Sequence, residues 1–149
     1  MAGICFTSRY NGISRELKNV VTIATSVGNK KVANNKIALW DTGANCSVIT
    51  NEIAEELGLV SLAKRKVNTP SGSHEANVYY IDVKLPSKLV IPKLQVCSGI
   101  SHQWDILIGM DIISMGDFAV SNFNGKTTFT FRLPSLDEAD FVNKSNLKP

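Results

Sequence analysis

Hydrophobic positions along the chain fall in short runs separated by polar turns, the spacing of strands rather than long helices. Between Val20 and Val27 the chain reads VVTIATSV, β-branched and strand-like, and a polar turn, GNKKVANN, follows. IALWD, from Ile37 to Asp41, is a nearly continuous apolar run, the pattern of a strand buried on both faces. CSVIT, from Cys46 to Thr50, predicts another strand. NEIAEELG then opens on a cap-type residue, Asn51, spaces Ile53 and Leu57 four apart, and stops at Gly58. That predicts a two-turn amphipathic helix with a glycine end.

From Leu62 to Leu85 the pattern is strand, turn, strand, with Pro70 and Gly72 in a polar tip, TPSGSHE. LVIPKLQVC supplies a further strand in which Pro92 requires an edge position or a bulge. DILIG predicts a buried strand, and MDIISMG one helical turn or two. AVSNF and KTTFTF flank Asn124-Gly125, a strong signal for a two-residue hairpin turn. After Pro134 the tail turns acidic, then basic, and is expected to fray beyond a short helix. With no repeat or linker, the chain reads as one mostly-β domain spanning 1–149, its core at about 20–133 and its tail at about 134–149.

Composition narrows the function classes. The 149 residues are 44% hydrophobic and 19% charged, enough apolar content to build a core. A net charge of +3 without a clustered basic face argues against nucleic acid; Lys64-Arg65-Lys66 is the only dense run. Three cysteines without metal-type spacing fit a reducing compartment. The N-terminal segment lacks the pattern of a signal peptide, and no stretch is apolar and long enough to span a bilayer. The expectation is a cytoplasmic protein that engages no membrane, its sequons at Asn45 and Asn143 being coincidental.

The strongest chemical feature is Asp41-Thr42-Gly43-Ala44, directly after the buried strand IALW. A carboxylate there is costly to ionise unless hydrogen bonds or a chemical role offset its desolvation. Gly43 allows a sharp turn that brings amide donors to the carboxylate. The tripeptide by itself also fits an ordinary strand-end turn; its context decides.

IALWDTGANCSVIT resembles the active-site segment of the retroviral-type aspartic proteases, the retropepsins. Leu107-Ile108-Gly109, about 65 residues downstream, resembles that family's second signature, and the hairpin around Ser71-Gly72-Ser73 stands where the family has its flap. The order of the three elements is the family's, over roughly Val20 to Leu133. Asn45-Cys46 and Met110-Asp111 depart from the viral pattern, and the helix after the catalytic turn resembles stand-alone bacterial members instead.

The resemblance implies a closed acid-protease barrel with one or two short helices and a flap hairpin. It also implies hydrolysis of peptide bonds by a water held between two aspartates, with no cofactor or metal. A single Asp-Thr-Gly then implies a homodimer with Asp41 from each chain at the two-fold axis, and KTTFTF as the first candidate for the interface. Asp41, Thr42 and Gly43 are the implied catalytic residues. Ala44, Asn45, Ser71, Gly72 and Ser73 are the implied contacts to a peptide or protein substrate. A non-catalytic dimeric peptide-binding module with the same fold is the alternative.

Other residues offer less. Asp105, Asp111 and Asp117 lack a following Thr/Ser-Gly and read as turn or capping residues. His74 and His102 have no partners at metal spacing. Gly125-Lys126-Thr127 echoes a phosphate loop, but Val120 stands where that loop needs glycine. Ser47 lacks the Gly-x-Ser-x-Gly context of a serine nucleophile, and Cys46 reads as a small buried hydrophobe near the cleft.

Overall fold

Alternation of side chains builds the core. In a computed structural model, which describes residues 3–69 and 72–142, every second residue of the strand Gly72–Lys84 from Tyr79 to Val83 is buried. The strands in order are β1 (Ile4–Arg9), β2 (Leu17–Thr25), β3 (Val32–Trp40), β4 (Val48–Thr50), β5 (Ala63–Thr69), β6 (Gly72–Lys84), β7 (Val90–Gly99), β8 (Ile106–Ile108), β9 (Asp117–Ser121) and β10 (Thr128–Leu133). Two short helices, α1 (Asn51–Glu56) and α2 (Met110–Ile113), follow β4 and β8.

The larger sheet runs β2-β3-β8-β4-β7-β6-β5, and β2 also pairs with β6, from Thr22↔Lys84 to Thr25↔Ile81. That second pairing closes six strands into a barrel, which removes their free edges. Only β5 stands outside the ring, as the outer strand of a hairpin with β6. Val21, Ile23, Ala38, Ile49, Ile81, Val83, Ile106 and Ile108 fill the interior.

A second sheet, β1-β10-β9, carries an aromatic cluster. Phe129 and Phe131 are fully buried and meet Trp40, with ring centroids 5.8 and 5.1 Å away; Phe118 stacks on Trp40 at 5.7 Å. Trp40 immediately precedes Asp41, so this cluster anchors the strand that presents the candidate catalytic residue. Truncating a buried phenylalanine of this kind to alanine costs ~3–5 kcal/mol.

Several expectations are revised in detail. The polar turn predicted after Val27 ends earlier, because Val32–Asn35 belongs to β3; Asn35, at φ 56°, lies at an irregularity in the β2–β3 ladder that masks the strand. β1 escaped the sequence reading, having one buried residue, Phe6, among six. Thr50, not Asn51, caps α1, its hydroxyl accepting from Ile53 N–H. Pro92 does sit at an irregularity, where Lys93 adopts φ 50° and the β6–β7 register shifts. Asn124-Gly125 lies in a loop joining β9 to β10 that spans 122–127, longer than two residues.

Candidate active site

Asp41 stands where two parallel strands end together. β3 and β8 pair in register from Ala38↔Ile106 to Trp40↔Ile108, and Asp41 N–H continues the ladder to Ile108 O at 2.9 Å. The chain then turns: Gly43 N–H donates to Asp41 Oδ1 at 2.8 Å, and Ala44 N–H to Asp41 O at 3.3 Å. This is the amide-to-carboxylate contact expected of the Asp-Thr-Gly turn. Asp41 is half-buried, and its Oδ2 has no hydrogen-bond partner among the described residues. Thr42 is exposed, and its hydroxyl too is unpaired among them.

The second motif locks onto this turn. Met110 N–H donates to Ala44 O at 2.8 Å, and Gly109 packs so closely on the loop that a side chain is excluded. A Cβ at Gly109 would lie 2.7 Å from the Cys46 carbonyl carbon and 2.9 Å from Ala44 O. Ser47, fully buried, accepts from Gly109 N–H at 3.1 Å and donates its hydroxyl proton to Asp111 Oδ1 at 2.7 Å. Ser47 N–H reaches Asp111 Oδ2 at 2.8 Å, and Ile112 N–H reaches Asp111 Oδ1 at 3.0 Å. The hydroxyl thus donates once and accepts once, while the carboxylate clamps both motifs together.

Sequence reasoning missed this clamp. From sequence alone, Ser47 reads only as a serine without a nucleophile's context, and Asp111 as a turn or capping residue. The signal was there: a serine inside the apolar run CSVIT must find a polar partner if that strand is buried. Asp105 and Asp117 also reach beyond a local turn or cap, to residues distant in the chain. Asp105 accepts from Ile37 N–H at 2.7 Å. Asp117 holds Arg132, Ser135 and Leu136 N–H; the Ser135 hydroxyl, then that amide and the guanidinium, keep its carboxyl well below the usual range.

The predicted hairpin is β5–β6, in register from Ala63↔Val78 to Thr69↔Gly72. Ser71 lies outside the described residues. Gly72 is exposed at φ +124°, a backbone region that side chains disfavour. Ser73 Oγ bonds Asn68 Oδ1 across the hairpin at 2.6 Å. Val67, Ala76 and Val78 form a small second core with Cys97 of β7, whose N–H donates to Ser47 O at 3.3 Å. The base of the hairpin is therefore joined to the Asp41 loop.

A groove of about 700 Å³ runs beside the hairpin, bounded by Gly72 to Asn77, Lys64, Asn51 and Ser98 to Ile100. Gly72 and Ser73 line it, whereas Asp41, Thr42, Gly43, Ala44 and Asn45 do not. Within one chain, this groove takes in the described hairpin residues Gly72 and Ser73 and leaves the Asp41 loop outside it.

Comparison with known proteins agrees with this geometry. The family described as "gag-polyprotein putative aspartyl protease" matches residues 23–115. No curated protein sequence matches the chain. A retropepsin-like aspartic protease from Rickettsia conorii superposes with a TM-score of 0.56 at 14% identity, over 89% of this chain and 96% of that one. The EIAV protease, solved with the inhibitor HBY-793, superposes with a TM-score of 0.51 at 21% identity, over 70% of this chain and 90% of its own. Both likenesses are of fold, and the family match covers the Asp-Thr-Gly turn, the hairpin and the glycine that seats on the turn. The chain belongs to the retropepsin-like aspartic proteases.

Proposed function

We propose that the protein is an aspartic endopeptidase whose site forms between two copies, each contributing Asp41. The observation that carries the reading is the Asp41 carboxylate itself. It sits at the end of a rigid strand pair, one oxygen held by Gly43 N–H and the other free among the described residues. Two such carboxylates across one water cannot both ionise easily, so they share a proton. The ionised Asp41 takes a proton from the water as it attacks the peptide carbonyl, and the protonated one hydrogen-bonds the carbonyl oxygen. Proton transfer to the leaving nitrogen completes cleavage.

The exposed, unpaired Thr42 hydroxyl supports a dimer, since an identical loop across a two-fold axis would supply its partner. Strand pairing refines where copies would meet. β10, which holds the last four residues of KTTFTF, is flanked by β1 on one side and β9 on the other. A partner strand would add at the open edge of β1 or β9 instead. In this reading Ala44, Asn45, Gly72, Ser73 and Ser71 contact an extended peptide, whose main chain supplies hydrogen bonds to strand edges.

Cleavage of a peptide library by the wild type and not by Asp41→Asn is the test. The account expects a fall in kcat/KM of about 10²–10⁴-fold or more with the fold retained by circular dichroism. A folded wild type that binds peptides without cleaving them would favour the binding-module alternative.

A further inference from the structure

Three consecutive cations, Lys64-Arg65-Lys66, lie on β5, and strand alternation sends them to two different faces. Lys64 and Lys66 stand opposite Asn77 and Glu75 of β6, and Lys64 reaches the Glu75 carboxylate at 3.8 Å. Lys64 and Glu75 also border the groove of about 700 Å³, which Arg65 does not line. Arg65 is exposed and stands opposite the buried Ala76. Among the described residues, no carboxylate lies within ion-pair distance of it.

The face that Arg65 shares can be followed strand by strand to Asp41. Residues paired across a ladder lie on one face, as do residues two apart along a strand. Arg65 therefore shares its face with Val67 and, across the ladder, with Ala76 and Val78. Val78 pairs with Cys97, Cys97 with Val48, Val48 with Leu107 and Leu107 with Leu39. Val67, Ala76, Val78 and Cys97 pack together, and Val48, Leu107 and Leu39 are half-buried. Leu39 comes two residues before Asp41, on the face opposite the buried Ala38 and Trp40. An apolar strip thus runs from beside Asp41 to the hairpin, and Arg65 is the cation at its far end. The charge is felt on the Asp41 loop as well: burial pushes the Cys46 thiol up, and Arg65 acts the other way.

We infer that Arg65 is a specificity-determining residue, selecting an acidic side chain (Asp or Glu) of the bound peptide at a position away from the scissile bond. The inference rests on the proposed peptide-cleaving site and deepens it. Near the catalytic carboxylates an acidic side chain is repelled, so its counter-ion must come from elsewhere on the strip. An arginine suits the task, because its guanidinium stays ionised and offers two parallel N–H donors to a carboxylate. The apolar strip takes the uncharged part of the peptide. Lys64 and Lys66, on the other face, take no part.

The test is a library of peptides carrying glutamate, glutamine or lysine at each position in turn, at about pH 6, where glutamate is ionised. Cleavage by the full chain is expected to favour glutamate over glutamine about tenfold in kcat/KM at one position, the order that one charge-assisted hydrogen bond supplies. Arg65→Ala abolishes that preference, Arg65→Glu reverses it in favour of lysine, and Lys66→Ala leaves it unchanged. A merely structural role for Arg65 would lower cleavage of every peptide alike. Rising salt weakens the preference, because an exposed pair is screened. A wild-type chain with no acidic preference at any position, or a preference that survives Arg65→Ala, overturns the inference. Should the chain cleave nothing, the protease reading fails by itself. Binding of the same peptides, followed by fluorescence anisotropy, then decides on Arg65 by the same comparisons, and the absence of a preference there overturns its role.

Discussion

The Asp41 loop and the β5–β6 hairpin are held in opposite ways. Around Asp41, the amides of Gly43, Ala44, Ser47, Gly109, Met110 and Ile112 and the side chains of Ser47 and Asp111 are all paired, at 2.7–3.3 Å. Beside Gly72, Ser73, His74 and Glu75 are exposed, and among the described residues the hairpin rests on a small core of Val67, Ala76, Val78 and Cys97. A carboxylate doing acid–base work must be fixed to fractions of an ångström, whereas a segment that admits a long peptide must be cheap to move. Under the proposed mechanism, the tighter hydrogen bonding falls where the chemistry needs position.

The severest way to break that contrast is to intrude on the loop. Gly109→Ala places a Cβ within 2.7 Å of the Cys46 backbone, where no flexible side chain can give way. We expect destabilisation of a few kcal/mol, of the order seen for overpacking in tight cores, and activity lost even where the fold survives. Chemical denaturation and peptide cleavage measure the two separately. A stable, fully active Gly109→Ala would show that the two motifs are not in fixed contact.

The clamp is the next test. Ser47→Ala leaves Asp111 Oδ1 and Gly109 N–H each short of a partner, a cost of ~1–3 kcal/mol. Asp111→Asn removes the charge but keeps the shape. A double-mutant cycle on stability and kcat/KM should show strong coupling, with the double variant little worse than the worse single one. Additive losses would mean that the two side chains act independently.

Why this clamp was illegible, while the Asp-Thr-Gly turn was plain, follows from how each is encoded. The turn is contiguous in sequence, and its neighbours IALW and CSVIT announce buried strands. Ser47 and Asp111 are distant in the chain and meet only because β4 and β8 lie antiparallel in the barrel, with Val48 opposite Leu107. Barrel closure through β2–β6 was hidden in the same way, as was β1, whose single buried Phe6 leaves no periodic signal. The short helix, the hairpin and the Pro92 irregularity were legible because glycine, proline and β-branched residues act locally.

At the hairpin the expected effect is smaller and of a different kind. Gly72→Val forces a β-branched residue into φ +124°, in open space. We expect turnover to fall several-fold while the unfolding midpoint moves little, because Gly72 is exposed and an added Cβ there meets nothing within 4 Å. Stopped-flow and steady-state kinetics against a denaturation curve distinguish the two. Unchanged kinetics in the folded variant would remove this hairpin from the mechanism.

The shared site is tested most directly by mixing subunits. Wild type and Asp41→Asn, combined in equal amounts and shown to exchange, should form wild-type homodimers as about one quarter of all dimers. A mixed dimer has one carboxylate and one amide, and the amide can neither take the water's proton nor share one with its neighbour. Activity per total dimer should therefore settle near a quarter of the pure wild-type value. With exchange verified, activity near one half would mean that each chain carries a complete site of its own, and the two-chain Asp41 mechanism would be wrong.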